Sequence, residues 1–363
     1  MTFDSGSIII DHKSAIPKYI QLKTQLISMI TKGTFTPDGR IPSDNEFISR
    51  LKIARSTVRQ ALDELEKEGL IERQHGRGTF ITRGVVSGKA AATAGMSFGV
   101  FFPNLVYFYP AVIRAIENEA YRNGHHVILC TTDYDPAKEK RRLLNLFAEQ
   151  YLDGLIIRPL SDDPASYESL KTRNIPIVSM DERIPGLDAP AVLQDNAAGI
   201  RIACEHLVSK GHRKIGYIDA LPDYTYRRER LKAFEEFDGR CGKKTLTLDF
   251  NTPERNIEKL IRFLKSADLT AVVCINDRMA GIVLDVCKIL GYGVPSRLAV
   301  VGYDNEPFAS SLTVPLTTID PSKAEIGKTA MTLLAGLAGG SSSDAVPSRD
   351  VSVSPKLIER SLT

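Results

Sequence analysis

Three stretches of the first 84 residues carry hydrophobic side chains at three- and four-residue steps, the spacing of amphipathic helices. The first stretch covers 17–31. The second begins after Ser43, which forms a capping box with Glu46 three residues later. The third follows a short connection at 52–54, and the side that it should bury is formed by Val58, Ala61, Leu62 and Leu65. Two short helices joined across a tight turn are typical of a helix-turn-helix.

After Gly69 the pattern changes to two short β segments, 70–73 and 79–82, on either side of a glycine-containing turn at 74–78. Glycine allows the positive φ angles that a hairpin tip requires. A helix-turn-helix followed by such a hairpin predicts a winged helix over 1–84.

The predicted winged helix has polar residues suited to DNA recognition. Burial of the apolar side of the third helix turns a polar set outward on its first turns: Arg55, Ser56, Arg59 and Gln60. Guanidinium groups can bind guanine edges or phosphates, and a basic tip with His75 and Arg77 fits a minor groove. We therefore favour double-stranded DNA as the partner over two alternatives: a protein partner, or a pair between Arg59 and Asp63 four residues later.

From residue 97 onward, strand-like and helix-like stretches alternate, which predicts an α/β fold with doubly wound parallel strands. The strands are predicted over 98–102, 126–130, 154–158, 175–179, 214–219, 271–275 and 298–303. Helices are predicted between them, among others over 110–123, 196–210, 225–237 and 278–290. The strands could form one sheet or two lobes that share a cleft. The small, polar stretch 85–96 predicts a linker between domains at 1–84 and 97–363.

Aromatic, acidic and basic residues follow the predicted strands, where ligands of such sheets bind. They are Phe108, Tyr109, Arg158, Asp219, Arg228, Arg230, Asn276, Asp277 and Asp304. Carboxylates accept hydrogen bonds from hydroxyls, arginines donate in a fork, and aromatic rings cover the C–H face of a sugar. The set therefore predicts a polyhydroxylated ligand. Each residue also has a structural alternative: Asp277 could cap a helix, Arg158 could pair with Asp162 or Asp163, and Phe108 could lie in a core.

Composition and charge narrow the class of protein. Hydrophobic residues make up 43% of the chain and charged residues 25%, which is typical of folded domains, and a net charge of +3 is too small to indicate DNA binding by itself. Five cysteines without C-x-x-C spacing indicate free thiols in a reducing compartment. The chain lacks a secretory pattern at its start and an apolar run of about 18 residues, so we expect a cytoplasmic protein that binds no membrane.

The sequence predicts no cofactor, no metal ion and no catalysis. The fragment Gly327-Lys328-Thr329 suggests a phosphate loop, but Ser322 stands where the leading glycine of that motif belongs. None of the six histidines has the spacing of metal ligands on a helix.

Five motifs in the N-terminal part occur in a characteristic order: PKYIQ at 17–21, IPSDNE at 41–46, STVRQAL at 56–62, EGLI at 68–71 and GRGTF at 76–80. Together they resemble the DNA-binding domain of the GntR family of bacterial transcription regulators. The resemblance implies operator contacts by Arg55, Ser56, Thr57 and Arg59 and, at the wing, by His75, Gly76 and Arg77. Asn45 stands where that family usually has arginine, and Ala54 where serine or threonine is common.

Seven further motifs extend from about 98 to 360: DGLII at 153–157, DNAAG at 195–199, EHLVSKGHRKI at 205–215, RERLKAF at 228–234, NDRMA at 276–280, VVGYD at 300–304 and PLTTI at 315–319. They resemble the periplasmic-binding-protein-like sugar-sensing domain of LacI-family regulators. The resemblance implies two lobes and ligand contacts by Phe108, Tyr109, Arg158, Asp195, Arg228, Arg230, Asn276, Asp277 and Asp304.

The fusion of these two domains is similar to the arrangement in arabinose-responsive repressors. The resemblance implies a homodimer that binds a near-palindromic operator and represses carbohydrate-utilisation genes. It also implies that a small-molecule effector, a pentose or similar sugar, changes the affinity for operator DNA. A sugar-modifying enzyme tethered to DNA is the alternative from a different functional class.

Overall fold

The computed structural model describes residues 8–12, 17–31, 35, 39–74, 77–82, 95–149, 152–171, 175–249, 253–339 and 350–363. Within these residues the strands form a small antiparallel sheet near the N-terminus and two six-stranded sheets. No helix in this part of the chain is long and apolar enough to span a bilayer.

The N-terminal unit is a winged helix, as its pattern predicts. Its helices are α1 (Lys18–Thr31), α2 (Asp44–Leu51) and α3 (Arg55–Lys67), and its strands are β1 (Arg40–Ile41), β2 (Ile71–Gln74) and β3 (Gly78–Ile81), in the spatial order β1-β3-β2. The predicted capping box is present, because Ser43 Oγ accepts from Glu46 N while Glu46 Oε2 accepts from Ser43 N at 2.7 Å. The four apolar side chains predicted on α3 are buried in the core of this unit.

One lobe of the larger unit, the N lobe, has a parallel sheet. Its strands are β4 (Ser97–Phe102), β5 (His126–Thr131), β6 (Gly154–Ile157), β7 (Ile177–Met180), β8 (Ala191–Gln194) and β14 (Val351–Val353), in the spatial order β14-β8-β7-β6-β4-β5. Its helices are α4 (Phe108–Arg122), α5 (Pro136–Glu149), α6 (Glu168–Lys171) and α11 (Lys323–Ala338). The central strands are almost wholly buried, because apolar side chains pack on both faces of the sheet.

The second lobe, the C lobe, repeats this design. Its strands are β9 (Lys214–Leu221), β10 (Gly242–Asp249), β11 (Ala271–Cys274), β12 (Ala299–Tyr303), β13 (Thr317–Asp320) and β15 (Lys356–Ile358), in the spatial order β10-β9-β11-β12-β13-β15. Only β15 runs antiparallel to its neighbour among these described strands. Its helices are α7 (Asn196–Ser209), α8 (Thr225–Glu236), α9 (Pro253–Ser266) and α10 (Asp277–Leu290).

The chain passes between the lobes after β8, after β13 and between β14 and β15. The strands therefore form two lobes rather than one sheet. The seven predicted strands are all present within two residues of their expected limits, and β8, β10, β13, β14 and β15 are additional. Most of the predicted linker, 85–96, lies outside the described residues, so the limits of the domains remain predictions.

Candidate functional site

The first turns of α3 present an exposed polar surface. The chain reverses between α2 and α3 because Lys52 adopts a left-handed conformation, with φ of 51°. Arg55, Ser56 and Arg59 are exposed, whereas Thr57 is half-buried. The side chains expected to contact DNA therefore lie together at the N-terminal end of the helix, where free N–H groups favour phosphate.

Acidic residues farther along α3 are neutralised within the winged helix. Arg73 of β2 lies 2.6 Å from Asp63 and 3.2 Å from Glu66. Lys23 of α1 lies 2.8 Å from Glu64 and 2.7 Å from Glu68, and hydrogen bonds to these two carboxylates raise the pKa of Lys23. These pairs neutralise the negative charges towards the C-terminal end of α3, so the N-terminal half of the helix is basic.

The two arginines of this surface are oriented by residues of α2. Arg55 Nη2 donates to Asn45 Oδ1 at 2.7 Å, and Arg59 Nε lies 3.5 Å from Asp44 Oδ2. The alternative pair between Arg59 and Asp63 is not formed, because Asp63 binds Arg73 instead. Ala54 is the N-cap of α3 and has no side-chain cap.

At the wing, Arg77 N donates to Gln74 O in a turn, and the Arg77 side chain is exposed. His75 and Gly76, the other two residues predicted at the wing tip, lie outside the described residues.

In the larger unit, the carboxyl ends of the strands of both lobes meet at a seam, here called the cleft. On the N-lobe side, Tyr109 donates from its hydroxyl to Asp181 Oδ2 at 3.2 Å, and burial raises the pKa of Tyr109 well above its usual value. Gln194 Nε2 donates to Asp181 Oδ1 at 2.8 Å. Arg158 is buried at the end of β6, and its Nη2 donates to Glu182 Oε1 at 2.8 Å. Its Nε has no partner among the described atoms.

On the C-lobe side, Arg230 of α8 is a buried side chain with hydrogen-bond partners on several elements of the cleft. Its Nη1 donates to Ile275 O at 2.6 Å and its Nε donates to Asn196 Oδ1 at 2.8 Å. Its Nη2 lies 3.4 Å from Asp304 Oδ1 and 3.5 Å from Gln194 Oε1, so this one side chain contacts both lobes. The guanidinium lies 3.5 Å from the centre of the Tyr303 ring.

Asp304 follows β12 in a left-handed conformation, with φ of 99°. Burial raises the pKa of its carboxyl, and the charges of Arg230 and Lys323 partly oppose that shift. Lys323, at the start of α11, forms a buried pair with Glu306 at 3.2 Å and lies 6.0 Å from the ring of Phe108. Phe108 is half-buried at the first position of α4.

Four other predicted residues have local structural partners. Asn276 and Asp195 are the N-caps of α10 and α7 and accept from Met279 N and Ala198 N. Asp277 is fully buried and accepts hydrogen bonds from Thr318 and Glu306. Arg228 is exposed, and its guanidinium donates to Asp223 O and Thr225 Oγ1. Its side chain therefore lies on the surface of α8, unlike the buried side chain of Arg230.

Sequence reasoning missed several residues of the cleft: Asp181, Glu182, Gln194, Lys323, Tyr224 and Tyr226. The rings of the two tyrosines lie 5.5 Å and 5.1 Å from the guanidinium groups of Arg158 and Arg230, respectively. Asp181 and Gln194 each follow a strand directly, so the rule used for the other candidates applies to them. The sequence pattern predicts the end of β7 one residue too early and does not indicate β8, so neither residue follows a predicted strand. Asp219, which the sequence predicts at the end of a strand, lies two residues before the end of β9. It is fully buried and bound by Arg227.

Comparisons with known proteins agree with this architecture. Residues 18–81 match the gntR family of bacterial regulatory proteins, and residues 204–363 match the periplasmic binding protein-like domain. The chain is 32% identical to the arabinose metabolism transcriptional repressor of Geobacillus stearothermophilus over 97% of its own length and 99% of that protein. It is 30% identical to the protein of the same name from Halalkalibacterium halodurans, over 95% and 96% of the two chains.

This chain belongs to the GntR family of bacterial regulators, in the group with a periplasmic-binding-protein-like domain. The larger unit of the regulator is also similar to a crystal structure from Alkaliphilus metalliredigens, described as a periplasmic binding protein/LacI transcriptional regulator complexed with D-xylulofuranose. The two share 26% identity with a TM-score of 0.62, over 74% of this chain and 99% of that one. The predicted fusion of a GntR-type winged helix to a LacI-type sensor fold is therefore confirmed.

Proposed function

We propose that this regulator represses carbohydrate-utilisation genes and that a neutral sugar bound in the cleft lowers its affinity for operator DNA. A homodimer would place two α3 helices and two wings on a near-palindromic operator. Support comes from the exposed basic end of α3, from the polar cleft between the lobes, and from the names of the relatives, which are repressors of arabinose metabolism.

The charge balance of the cleft is the reason for proposing a neutral sugar. Three cations of the described cleft each have a carboxylate partner: Arg158 with Glu182, Arg230 with Asp304 and Lys323 with Glu306. Asp181 adds a further carboxylate, which is bound only by the neutral groups of Tyr109 and Gln194 in the contacts described above. A phosphate or carboxylate group would therefore enter a site without surplus positive charge, whereas hydroxyls can bind both the carboxylates and the guanidinium groups.

Within this proposal, Arg230 and Asp304 bind sugar hydroxyls from the C lobe, and Phe108, Tyr109 and Arg158 complete the site from the N lobe. We assign Asn276 to the same site, because it follows β11 at the same edge of the sheet as Asp304. Asp195 caps α7 nearby, and Asp277 binds the loop after β12 and the strand β13.

A thermal-shift panel on the full chain tests the effector. The panel contains L-arabinose, D-ribose and D-xylulose, together with their phosphate esters. We expect a free pentose to raise the melting temperature and the esters to have no effect. Asp304→Asn should weaken binding of the active sugar by about tenfold or more, because a charged hydrogen-bond partner is lost. Asp268→Asn, an exposed C-lobe carboxylate paired with Lys214, is the matched control. Equal shifts in Asp304→Asn and the control would place the sugar elsewhere.

Fluorescence anisotropy with duplexes from the promoter region of its own gene tests the DNA surface. Arg59→Ala should weaken binding by about tenfold or more if the guanidinium contacts a base. Arg262→Ala removes another exposed, ion-paired arginine, from α9, and should leave the affinity unchanged. Unchanged affinity in Arg59→Ala would exclude the proposed role of α3.

We also propose that the sugar is bound and released unchanged, in contrast to the alternative of a DNA-tethered enzyme. The relatives named as repressors support this proposal. Incubation of the protein with the active sugar, followed by chromatography, should return the sugar intact, and turnover would support the enzyme instead.

A further inference from the structure

The two lobes also touch at more exposed positions of the cleft, through contacts that involve neither Arg230 nor Asp304. Here the guanidinium of Arg278, an exposed residue at the start of α10, lies 4.4 Å from the centre of the Tyr107 ring of the N lobe. At a second point, the rings of Tyr134 from the N lobe and Tyr224 from the C lobe have centroids 5.8 Å apart. Both contacts join aromatic or cationic side chains across the seam.

A hydrogen-bonded loop connects these two contacts on the N-lobe side. Asn104 Nδ2 donates to the hydroxyl of Tyr134 at 3.0 Å, and Asn104 Oδ1 accepts from Val106 N at 2.9 Å. The residue after Val106 is Tyr107, so one asparagine binds the Tyr134 hydroxyl and the backbone directly before Tyr107. The two contacts therefore form a single unit, which we call the rim clasp and define as Asn104, Tyr107, Tyr134, Tyr224 and Arg278.

The N-lobe side of the rim clasp has unusual backbone conformations. Tyr107 has φ of 58° and ψ of −120°, and Asp133 and Tyr134 have φ of 53° and 59°. Residues other than glycine adopt such angles at a cost in free energy, so surrounding contacts must maintain them. Tyr107 and Tyr134 are 47% and 45% exposed as whole residues, so they do not belong to a buried core. The contacts of these two rings with the C lobe add to the hydrogen bonds of Asn104 within the N lobe.

We propose that the rim clasp holds the two lobes together without a sugar, with Tyr107 and Arg278 as positioning residues that set the equilibrium between open and closed lobes. A pre-existing closed population limits how far a bound sugar can shift that equilibrium. The clasp would then tune the response of the regulator to its effector. This tuning of the response rests on the proposed function, whereas the effect of the clasp on the sugar-free lobes does not.

Distance measurement by double electron–electron resonance on the full chain without sugar tests the clasp. Nitroxide labels are placed at Lys140→Cys on α5 of the N lobe and Lys232→Cys on α8 of the C lobe, both exposed positions. Cys241→Ser removes the partly exposed native thiol, and the four remaining cysteines are buried. An excess of unlabelled protein suppresses distances between protomers.

Arg278→Gln and Tyr107→Leu should each lower the ratio of closed to open lobes by about two- to fivefold, because an exposed cation–π contact is lost. Tyr107→Phe keeps an aromatic face and should retain the wild-type distance distribution. Arg262→Gln on the surface of α9 is the control for loss of an exposed arginine. Circular dichroism spectra of all variants establish that they are folded.

The clasp is refuted if wild-type protein is entirely open, if Arg278→Gln gives the wild-type distribution, or if Tyr107→Phe opens the lobes as much as Tyr107→Leu. Titration with L-arabinose forms a separate arm, in which Arg278→Gln should raise the dissociation constant two- to fivefold. If L-arabinose fails to bind wild-type protein, that sugar is not the effector, and the sugar-free distances still decide the clasp.

Discussion

Asp277 is a carboxylate buried beneath the strand ends of the C lobe. Thr318 Oγ1 donates to its Oδ1 at 2.6 Å and Glu306 N donates to its Oδ2 at 2.7 Å. Burial nevertheless raises the pKa of Asp277 to about 7, because desolvation and the nearby charge of Asp304 outweigh these hydrogen bonds. Asp277 thereby connects β12 and β13 to α10 at the base of the loop that presents Asp304.

This pKa predicts a pH-dependent stability. The pKa of Asp277 in the folded chain lies above its ordinary value of 3.8, so its stabilising contribution is complete below pH 4 and is lost progressively as the pH rises from about 4 to about 7. Asp277→Asn mimics the neutral carboxyl, since an amide can donate to Thr318 and accept from Glu306. Between pH 5 and pH 8 we expect the free energy of unfolding to fall by about 2 kcal/mol less in the variant than in wild-type protein.

Urea unfolding followed by circular dichroism at the two pH values provides the measurement. Burial also raises the pKa of Asp304 and Glu306, so a smaller pH dependence should remain in the variant. Asp268→Asn is the control, because Lys214 lowers the pKa of that exposed carboxyl away from this range. Identical pH profiles for Asp277→Asn and wild type would mean that Asp277 does not titrate here.

Among the elements, α4 and α11 approach closely because Gly327 has no side chain. A Cβ on Gly327 would lie 2.3 Å from Val112 O and 2.8 Å from Ala115 Cβ. Both helices pack on the N-lobe sheet in the same apolar core. The Gly327-Lys328-Thr329 fragment therefore lies within a packed helix, consistent with its rejection as a phosphate loop.

Gly327→Ala should destabilise the N lobe by about 1–3 kcal/mol, because backbone atoms of α4 must move to admit the methyl group. Gly281→Ala in α10 is a matched control in open space, where alanine should stabilise its helix by up to about 1 kcal/mol. Thermal unfolding of both variants gives the comparison. A loss of stability in both, or in neither, would contradict close packing of α4 on α11 as the cause.

Strands that are buried on both faces were predictable as elements, and peripheral strands were not. β6 and β11 are short runs without a polar side chain, so their sequences indicate strands without reference to the rest of the fold. β10 lies at a sheet edge with most of its side chains exposed, and its sequence GKKTLTLD lacks such a run. β14 and β15 are three residues each and are defined only by their pairing with β8 and β13.

For the whole molecule, the two binding activities should respond differently to salt. DNA binding through the basic end of α3 and the wing releases counterions, whereas a neutral sugar releases none. We expect the dissociation constant for operator DNA to rise by ~10³-fold or more between 50 and 200 mM salt if a dimer makes six to ten phosphate contacts. The dissociation constant for the active pentose should stay nearly constant. Anisotropy and calorimetric titrations at both salt concentrations measure the two, and a steep salt dependence of sugar binding would indicate an anionic effector.

The sequence by itself determined the winged helix and the alternating α/β unit, and it supplied candidate residues for both sites that stay predictions. These features are local: apolar spacing, capping residues and strand-end positions depend on neighbours within a few residues. Only the tertiary structure decided that Arg230 contacts Gln194 and Asp304, that Arg228 faces away, that Asp277 is buried, and that Arg278 lies against Tyr107. Apart from the local bonds of Arg228, these contacts join residues from distant segments. Their geometry depends on how the elements pack within and between the lobes, which local sequence patterns do not specify.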